Sequence, residues 1–524
     1  MVSRRDFLGL SAATLLGGGL TRSRRTAAGA QAAEVEALRK RLAADPQRPR
    51  YHLLPPAYWM NDPNGPIFSK GQCHMFYQYN PQGAFPESMH WGHAVSADLV
   101  HWKHLPIALA PTPGGPDKDG CWSGCAVIDG EVPTLIYTGV FPQVQCLARG
   151  DEGLLTWRKF ASNPVVATPP QGMETTGFRD PCVWREGDEW YLAIGSGIAG
   201  QGGMVLLYRS RDLIHWDYLH LLCKGRKEEL LPGKDPVSRG EMWECPDFFP
   251  LGEKHALLVS TQGTVIYSLG AYVNQYFRPE RQGKVDLGDA YYAARSMGDE
   301  QGRRILWGWI REGRSDAAQR AAGWAGVMSL PRVLTIGRGG ALSMTPAPEL
   351  EALRGKDHQF HDLPVSQSLD PSPDGSLERH RSVFSRRGDS LEIQAEFDLG
   401  SSQAAGLTVR VAPHGEEQTS IIYDHAAAQL RVERDHSSLA PDVDRAPQGG
   451  PLALAEGETL KLHVFLDASV IEIFANDRSC LTSRIYPSRA DSLGLGAFGL
   501  GGEARLKSLH IWELHPISPN RLTT

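Results

Sequence analysis

No stretch of this 524-residue chain approaches the roughly 20 consecutive apolar residues of a membrane-crossing helix, which excludes a polytopic helical membrane protein. An excess of one charge sign is also missing. The 54 Lys and Arg stand against 60 Asp and Glu, for a net charge of −6, without the basic balance of a nucleic-acid binder. Cysteine is sparse and unpaired in sequence: Cys73, Cys121, Cys125, Cys146, Cys182, Cys223, Cys245 and Cys480 form no C-x-x-C pair. Cys121 and Cys125 lack the second pair that a zinc site needs, so small buried hydrophobes are the expected role of all eight. Helical periodicity of convincing length is confined to Ala32 to Ala44. What the chain has in quantity is glycine and proline, 56 and 36 residues without a collagen-like period, which points to many turns and an all-β chain. With 41% hydrophobic and 22% charged residues the composition is that of a globular protein, and the length suggests two domains.

The first thirty residues read as an address. Twin arginines in Ser3-Arg4-Arg5-Asp6-Phe7-Leu8 precede a short apolar stretch to Leu20, and Ala28-Gly29-Ala30 fits a small-residue cleavage site. Residues 1–30 are therefore expected to be a twin-arginine signal peptide, followed by an N-terminal segment, 31–50. The mature protein is expected in the periplasm or the medium, with no membrane insertion after cleavage. Substrates of this route typically fold before export, so the cysteines need not pair.

The middle of the chain repeats. Ser96-Ala97-Asp98-Leu99-Val100-His101-Trp102 returns as Ser210-Arg211-Asp212-Leu213-Ile214-His215-Trp216, with a weaker copy from Asp151 to Trp157. The tryptophans of the three copies are 55 and 59 residues apart. In phase with them runs a polar opening, a strand, a tight turn and a second strand. Asp62-Pro63-Asn64-Gly65 leads to Met75-Phe76-Tyr77-Gln78, and Trp122-Ser123-Gly124 leads to Leu135-Ile136-Tyr137. Arg179-Asp180-Pro181 leads to Tyr191-Leu192-Ala193, and Trp243-Glu244-Cys245-Pro246 leads to Leu257-Leu258-Val259. A looser fifth copy starts at Tyr292. Five such units of roughly 50–64 residues suit the four-stranded blades of a propeller over 51–345. In a propeller the first strand of every blade lines the axis, so equivalent positions face one cavity. The repeat register thus predicts that Asp62, Asp180 and Glu244, 118 and 64 residues apart, converge. Prolines 346, 348, 364, 371 and 373 suggest a linker over 346–378. Alternating strands such as Ser390 to Phe397 and Leu460 to Leu466 then predict a β-sandwich over 379–516.

Converging carboxylates suit a hard-metal site or glycoside hydrolysis. An acid at a lone Asp-Pro or Asp-Gly is usually satisfied by backbone amides in a turn; recurrence in register argues against that here. The surroundings of Asp62, Trp59-Met60-Asn61-Asp62-Pro63-Asn64-Gly65, offer an aromatic face and amides, which suits a sugar. Arg179 precedes Asp180 and favours its ionised form. Glu244 between Trp243 and Cys245 is expected in an apolar setting that favours its protonated form.

These motifs resemble glycoside hydrolase family 32, the β-fructofuranosidases, levanases, inulinases and fructan exohydrolases. W-M-N-D-P-N-G stands at Trp59 to Gly65, F-Y-Q-Y-N-P at Phe76 to Pro81, W-S-G at Trp122 to Gly124, F-R-D-P at Phe178 to Pro181 and W-E-C-P-D-F at Trp243 to Phe248. Ser469 to Asp477 and Thr482 to Pro487 look like the family's sandwich signature. The resemblance covers about Tyr51 to Leu514 and implies a five-bladed β-propeller followed by a β-sandwich domain. It implies retaining hydrolysis of terminal β-fructofuranosyl residues from sucrose, levan or inulin, with Asp62 as nucleophile, Glu244 as general acid/base and Asp180 as transition-state stabiliser. Retention goes with a separation of roughly 5–5.5 Å between the Asp62 and Glu244 carboxyls. Fructose-binding positions of the family map onto Trp59, Asn61, Gln78, Trp122, Ser123 and Arg179. Neither a cofactor nor a metal is implied, and the expected partner is a small-molecule or polysaccharide fructoside. A fructosyltransferase on the same site and a non-catalytic carbohydrate-binding propeller are the alternatives; an arabinan-type hydrolase would share the propeller but not the sandwich signature. Two positions depart from the pattern. Pro86 stands where plant-type members often carry Trp, so Phe85 or Trp91 is expected to supply that aromatic wall, and Cys125 replaces the last Ser of W-S-G-S.

Overall fold

The structure, a computed structural model, describes residues 34, 36–365 and 386–518. The expected signal peptide, 1–30, lies outside the described residues, as does 366–378 of the expected linker. Strands dominate. The first strands of five successive sheets are Tyr58–Ser69, Cys121–Asp129, Phe178–Glu186, Glu244–Leu251 and Tyr291–Gly298. Each begins a sheet whose strands lie in sequence order, antiparallel neighbour beside neighbour. The five first strands pack side by side in cyclic order, the fifth back against the first. This is a β-propeller. A short strand from late in the ring, Trp324–Ala325, joins the first sheet in parallel through Tyr58–Trp324 and Trp59–Ala325.

The S-x-D-L-x-H-W repeat makes the turn from the third to the fourth strand of a blade. Asp98 Oδ1 accepts the backbone N–H groups of Val100 (3.1 Å) and His101 (2.8 Å), and its Oδ2 lies 2.7 Å from His101 Nδ1. Asp212 repeats this with Ile214, His215 and His215 Nδ1 at 2.9, 2.9 and 2.7 Å. The intervening leucine takes a left-handed φ, 63° at Leu99, 56° at Leu154 and 64° at Leu213. That conformation costs a branched residue about 1–2 kcal/mol, which the side-chain bonds of the aspartate offset. Leu213 and Leu154 turn their carbonyls to the indole N–H of Trp216 (3.0 Å) and Trp157 (3.1 Å). Trp157 and Trp216 therefore pin the turns before the fourth strands of blades two and three, away from the axis.

The second domain is a sandwich of a six-stranded and a five-stranded sheet, with Leu391, Ile393, Val409, Ile421, Val464 and Ile473 buried between them. The stretch that reads as a linker is structured in its described part. Pro348–Leu353 is a 3-10 turn, and Arg354–Pro364 is an edge strand of the six-stranded sheet, paired with Arg505–Leu514. An edge strand with solvent on one side needs few apolar residues, and this one buries only His358, which hides it from a hydrophobic pattern. Of the helix expected from Ala32 to Ala44, residues 36–44 are described as helical. A helix that periodicity missed, Asp316–Ala322, spans only seven residues; Ser315 caps it, accepting the Ala318 N–H at 3.2 Å, and Gly323 ends it at φ 79°.

Candidate active site

At the same level of every first strand the pairing with the second strand slips. In blade one it jumps from Met60–Tyr79 to Pro63–Tyr77, leaving Asn61 and Asp62 out of the ladder. Blade two leaves out Ser123, blade three Asp180 and Pro181, blade four Cys245 and Pro246, and blade five Ala293 and Ala294. A bulge of this kind re-aims side chains that a regular strand would turn into the blade. The leading bulge residue is left-handed in blades three to five, with φ of 65° at Asp180, 48° at Cys245 and 52° at Ala293. Its N–H, turned out of the ladder, goes to a polar neighbour. Asp180 N donates to Thr138 Oγ1 (2.9 Å), Cys245 N to Asp180 Oδ2 (2.9 Å) and Ala293 N to Ser260 Oγ (3.1 Å).

The sequence register treats Glu244 as the counterpart of Asp180. The bulges correct this: the counterpart of Asp180 in blade four is Cys245, and Glu244 stands one residue earlier, where blade three has Arg179 and blade five Tyr292. Two tiers result. In the upper tier Arg179 Nη2 and Nε lie 2.7 and 3.2 Å from Glu244 Oε1, while Tyr292 OH donates to Glu244 Oε2 at 2.8 Å. The Arg179 guanidinium also sits 6.0 Å over the Trp122 ring. In the lower tier Ser123 Oγ donates to Asp62 Oδ2 (2.5 Å) and Asn61 Nδ2 to Asp62 Oδ1 (3.0 Å), and Trp59 Nε1 holds Asn61 Oδ1 (2.6 Å). The Cys245 thiol lies between Asp62 Oδ2 (3.5 Å) and Asp180 Oδ2 (3.6 Å). The three carboxyls thus converge, with the Glu244 side chain 21% exposed and that of Asp180 only 5%. Glu244 faces the opening and Asp180 lies deep.

Burial pushes the Asp62 carboxyl above the usual carboxylate range, against the hydrogen bonds from Ser123 and Asn61 that favour the ionised form. Burial likewise raises Asp180, and the Arg179 charge opposes without cancelling it. Arg179 is closer to Glu244 than to Asp180, whose Oδ2 is 3.9 Å from its Nε. The apolar setting expected for Glu244 is therefore replaced by a cation and a phenol.

Of the remaining expected residues, Trp59 and Trp122 flank this pocket with Trp309, whose ring is 5.8 Å from that of Trp59. Gln78 is buried, and its amide N–H donates to the Cys121 carbonyl at 3.1 Å. Trp91 is not a pocket wall: it is fully buried in the blade and donates its N–H to the Trp122 carbonyl at 3.0 Å. Phe85 is half-buried under the Arg320 guanidinium, 3.8 Å from its ring. Sequence reasoning missed Tyr292, Thr138 and the place of Cys245. Tyr292 opens the loosest repeat, and a cysteine in register with an aspartate carries no sequence signal of its own. Among the described residues no group of three His, Cys, Asp or Glu side chains is placed to hold a metal ion.

The sequence matches the profile of the Glycosyl hydrolases family 32 N-terminal domain over residues 52–346 and of the family's C-terminal domain over 349–513. The chain belongs to glycoside hydrolase family 32. It is a glycoside hydrolase. Relatives of this family-32 chain include the sucrose-6-phosphate hydrolase of Zymomonas mobilis, 36% identical over 91% of this chain and 94% of that one. The raffinose invertase of Escherichia coli is 34% identical over 89% and 95% of the two chains, and the levanase of Bacillus subtilis 32% over 90% and 70%. Among solved structures, fructan 1-exohydrolase IIa of Cichorium intybus superposes with a TM-score of 0.80 at 28% identity, covering 90% of this chain and 98% of that one.

Proposed function

We propose that the chain removes terminal β-fructofuranosyl units from sucrose or fructans with retention, through a covalent fructosyl intermediate on Asp62. Fructosyl-cleaving hydrolysis is the activity its family relatives share, their names giving sucrose-6-phosphate, raffinose, levan and fructan as what they act on. The observation that carries the mechanism is the asymmetry of the acids. Asp62 accepts a hydrogen bond on each oxygen, an arrangement that favours the ionised form against burial and aims the carboxylate. Glu244 stands at the opening, paired with the Arg179 guanidinium, which also lies over the Trp122 ring.

In the first step Asp62 attacks the anomeric carbon. The carbon–oxygen bond to the leaving unit breaks as the new ester bond forms, and Glu244 gives the leaving oxygen its proton. In the second, Glu244 takes a proton from water, which attacks the same carbon and frees Asp62. Asp180, deep and beside the thiol of Cys245, is positioned for fructose hydroxyls as positive charge grows on the ring. Trp59, Trp122 and Asn61 offer the ring faces and amide that a sugar uses; Gln78, its N–H engaged, keeps an acceptor oxygen.

The Arg4-Arg5 pair, the apolar stretch after it and Ala28-Gly29-Ala30 support export by the twin-arginine route to the periplasm or the medium.

The test is incubation of purified protein with sucrose, sucrose 6-phosphate, inulin and levan, with Glu244→Ala as control. Free fructose from the wild type and almost none from Glu244→Ala is expected. Longer fructans accumulating from sucrose would make the chain a transferase, and no turnover of any of the four would sink the reading.

A further inference from the structure

Between the last strand of the axis and the sandwich lies a buried carboxylate that the reaction does not use. Glu312 follows the second strand of blade five, and its side chain is 3% exposed. Four groups converge on it. Arg314 Nε lies 2.8 Å from Oε2, and Arg484 Nη1 3.1 Å from Oε1. The Tyr486 hydroxyl donates to Oε2 at 2.9 Å, and the backbone N–H of Gly326 to Oε1 at 3.1 Å. Arg484 and Tyr486 belong to the sandwich; Gly326 belongs to the propeller and directly follows the strand Trp324–Ala325 that pairs with Tyr58 and Trp59. The two arginines flank Trp324, 4.4 Å (Arg314) and 5.7 Å (Arg484) from its ring, and Arg314 Nη2 donates to the Trp324 carbonyl at 3.1 Å.

This strand decides where Trp59 stands. Tyr58 is held at φ 72°, a left-handed conformation that a tyrosine keeps only under constraint, and its N–H donates to the Gly323 carbonyl at 2.8 Å. Gly326 itself has no room to shift: a Cβ there would fall 1.8 Å from the Met60 carbonyl oxygen. From Trp59 the contacts run through Asn61 Oδ1 (2.6 Å) to Asp62 Oδ1 (3.0 Å). Glu312 thus joins the sandwich's Arg484 to the backbone N–H of Gly326, the residue that follows this closing strand, and its partner Arg314 bonds the strand's own Trp324 carbonyl.

We infer that Glu312 is a positioning residue through which the sandwich domain sets Trp59, Asn61 and hence the Asp62 carboxylate, so that the sandwich has a part in the rate of the reaction and not only in stability. The inference rests on the proposed role of Asp62. A carboxylate rather than an amide is required because one guanidinium, a phenol and a backbone N–H donate to it while a second guanidinium pairs with its charge, and only two unprotonated, negatively charged oxygens can serve all of them.

The test compares wild type, Glu312→Gln and the milder Tyr486→Phe, with Arg332→Met as a domain-contact variant that has no link to Trp59. The expected result for Glu312→Gln is a fall in kcat of about tenfold or more with KM changed much less, since a small misplacement of a reacting group is felt in the chemical step. The acid limb of kcat/KM is expected to move to higher pH, because Asn61 no longer holds Asp62; the other titratable groups facing Asp62 are Asp180, Glu244 and Cys245, which the variants leave in place. Tyr486→Phe is expected to shift both quantities in the same direction by less. Arg332→Met is expected to lose thermal stability while keeping kcat and the acid limb at temperatures where it is folded. Folded Glu312→Gln and Tyr486→Phe with wild-type kcat and acid limb would overturn the inference, as would an Arg332→Met that mimics them. If Glu312→Gln fails to fold, Tyr486→Phe decides alone. Absence of fructose release from the wild type would strike the function itself and is read separately.

Discussion

Arg179 grips one oxygen of Glu244 with two nitrogens, Nη2 at 2.7 Å and Nε at 3.2 Å, so the orientation of that carboxyl is set by a planar cation in the neighbouring blade. A lysine offers a point charge and no fork. Arg179→Lys is therefore expected to lower kcat/KM by about tenfold to a hundredfold while leaving the thermal midpoint almost unchanged, since kcat tracks the aim of the acid. A fructoside whose leaving group needs no protonation should escape most of the loss. Equal losses on sucrose and on such an activated substrate would show that Arg179 serves binding rather than Glu244.

Ser123 donates to Asp62 Oδ2 at 2.5 Å, and this bond is the largest influence holding the Asp62 carboxyl down against burial. A nucleophilic carboxylate must be ionised. Removing the donor raises its pKa further, so in Ser123→Ala the acid limb of kcat/KM should move to higher pH, with activity retained on the alkaline side. The pH–rate profile measures it; an unmoved acid limb would assign that limb to another group.

The two-domain β architecture was legible because propeller blades repeat, and the repeat brought Asp62, Asp180 and Glu244 to one axis. The register within the axis was less legible. A bulge of one residue in blade two and of two in the others shifts which side chain faces the cavity, and nothing in Trp243-Glu244-Cys245-Pro246 says that the cysteine takes the place of Asp180. Trp91 was misread because its neighbours in sequence are strand residues of either face, and only pairing shows that its ring enters the blade. The role of Glu312 was invisible. Its partners come from 484, 486 and 326, and such a meeting depends on how two domains dock.

Two sets of buried histidines give stability opposite slopes with pH. His74, 3.0 Å from His93, is pushed down to about 4 by burial. Unfolded, it titrates near about 6.5, so its contribution is complete above that pH and is lost as pH falls toward about 4. His52 is the reverse. Burial pushes its pKa down, but both ring nitrogens face carboxylates, Asp467 at 2.8 Å and Glu472 at 3.1 Å, and the net shift is upward. Its contribution is complete below about 6.5 and is lost as pH rises through the raised folded value. His74→Leu is expected to flatten the fall of the thermal midpoint on the acid side, and His52→Gln to flatten it on the alkaline side. Unchanged slopes in both variants would mean that other groups govern the pH dependence.

Arg332 shows how burial decides the worth of an ion pair. Its side chain is 0% exposed and spans Asp286 (2.8 Å), Glu472 (2.7 Å) and Thr482 Oγ1 (2.6 Å), joining the propeller to the sandwich. Replacing it by methionine strips the cation from Asp286, 1% exposed, and leaves Glu472, 0% exposed, with His52 as its remaining ion-pair partner. A buried charge stripped of its partner costs about 3–5 kcal/mol, so Arg332→Met should be strongly destabilised in denaturant or thermal unfolding. Lys70 and Glu152 form a pair at 3.2 Å with side chains 64% and 84% exposed, where water already solvates both ions. Lys70→Met should change stability by less than about 1 kcal/mol. Comparable losses in the two variants would mean that the Arg332 cluster is reached by water and that its contribution comes from packing against Tyr291, whose ring is 4.1 Å from the guanidinium. In that case Arg332→Leu and Arg332→Met should be equally stable, because either side chain would fill the same space.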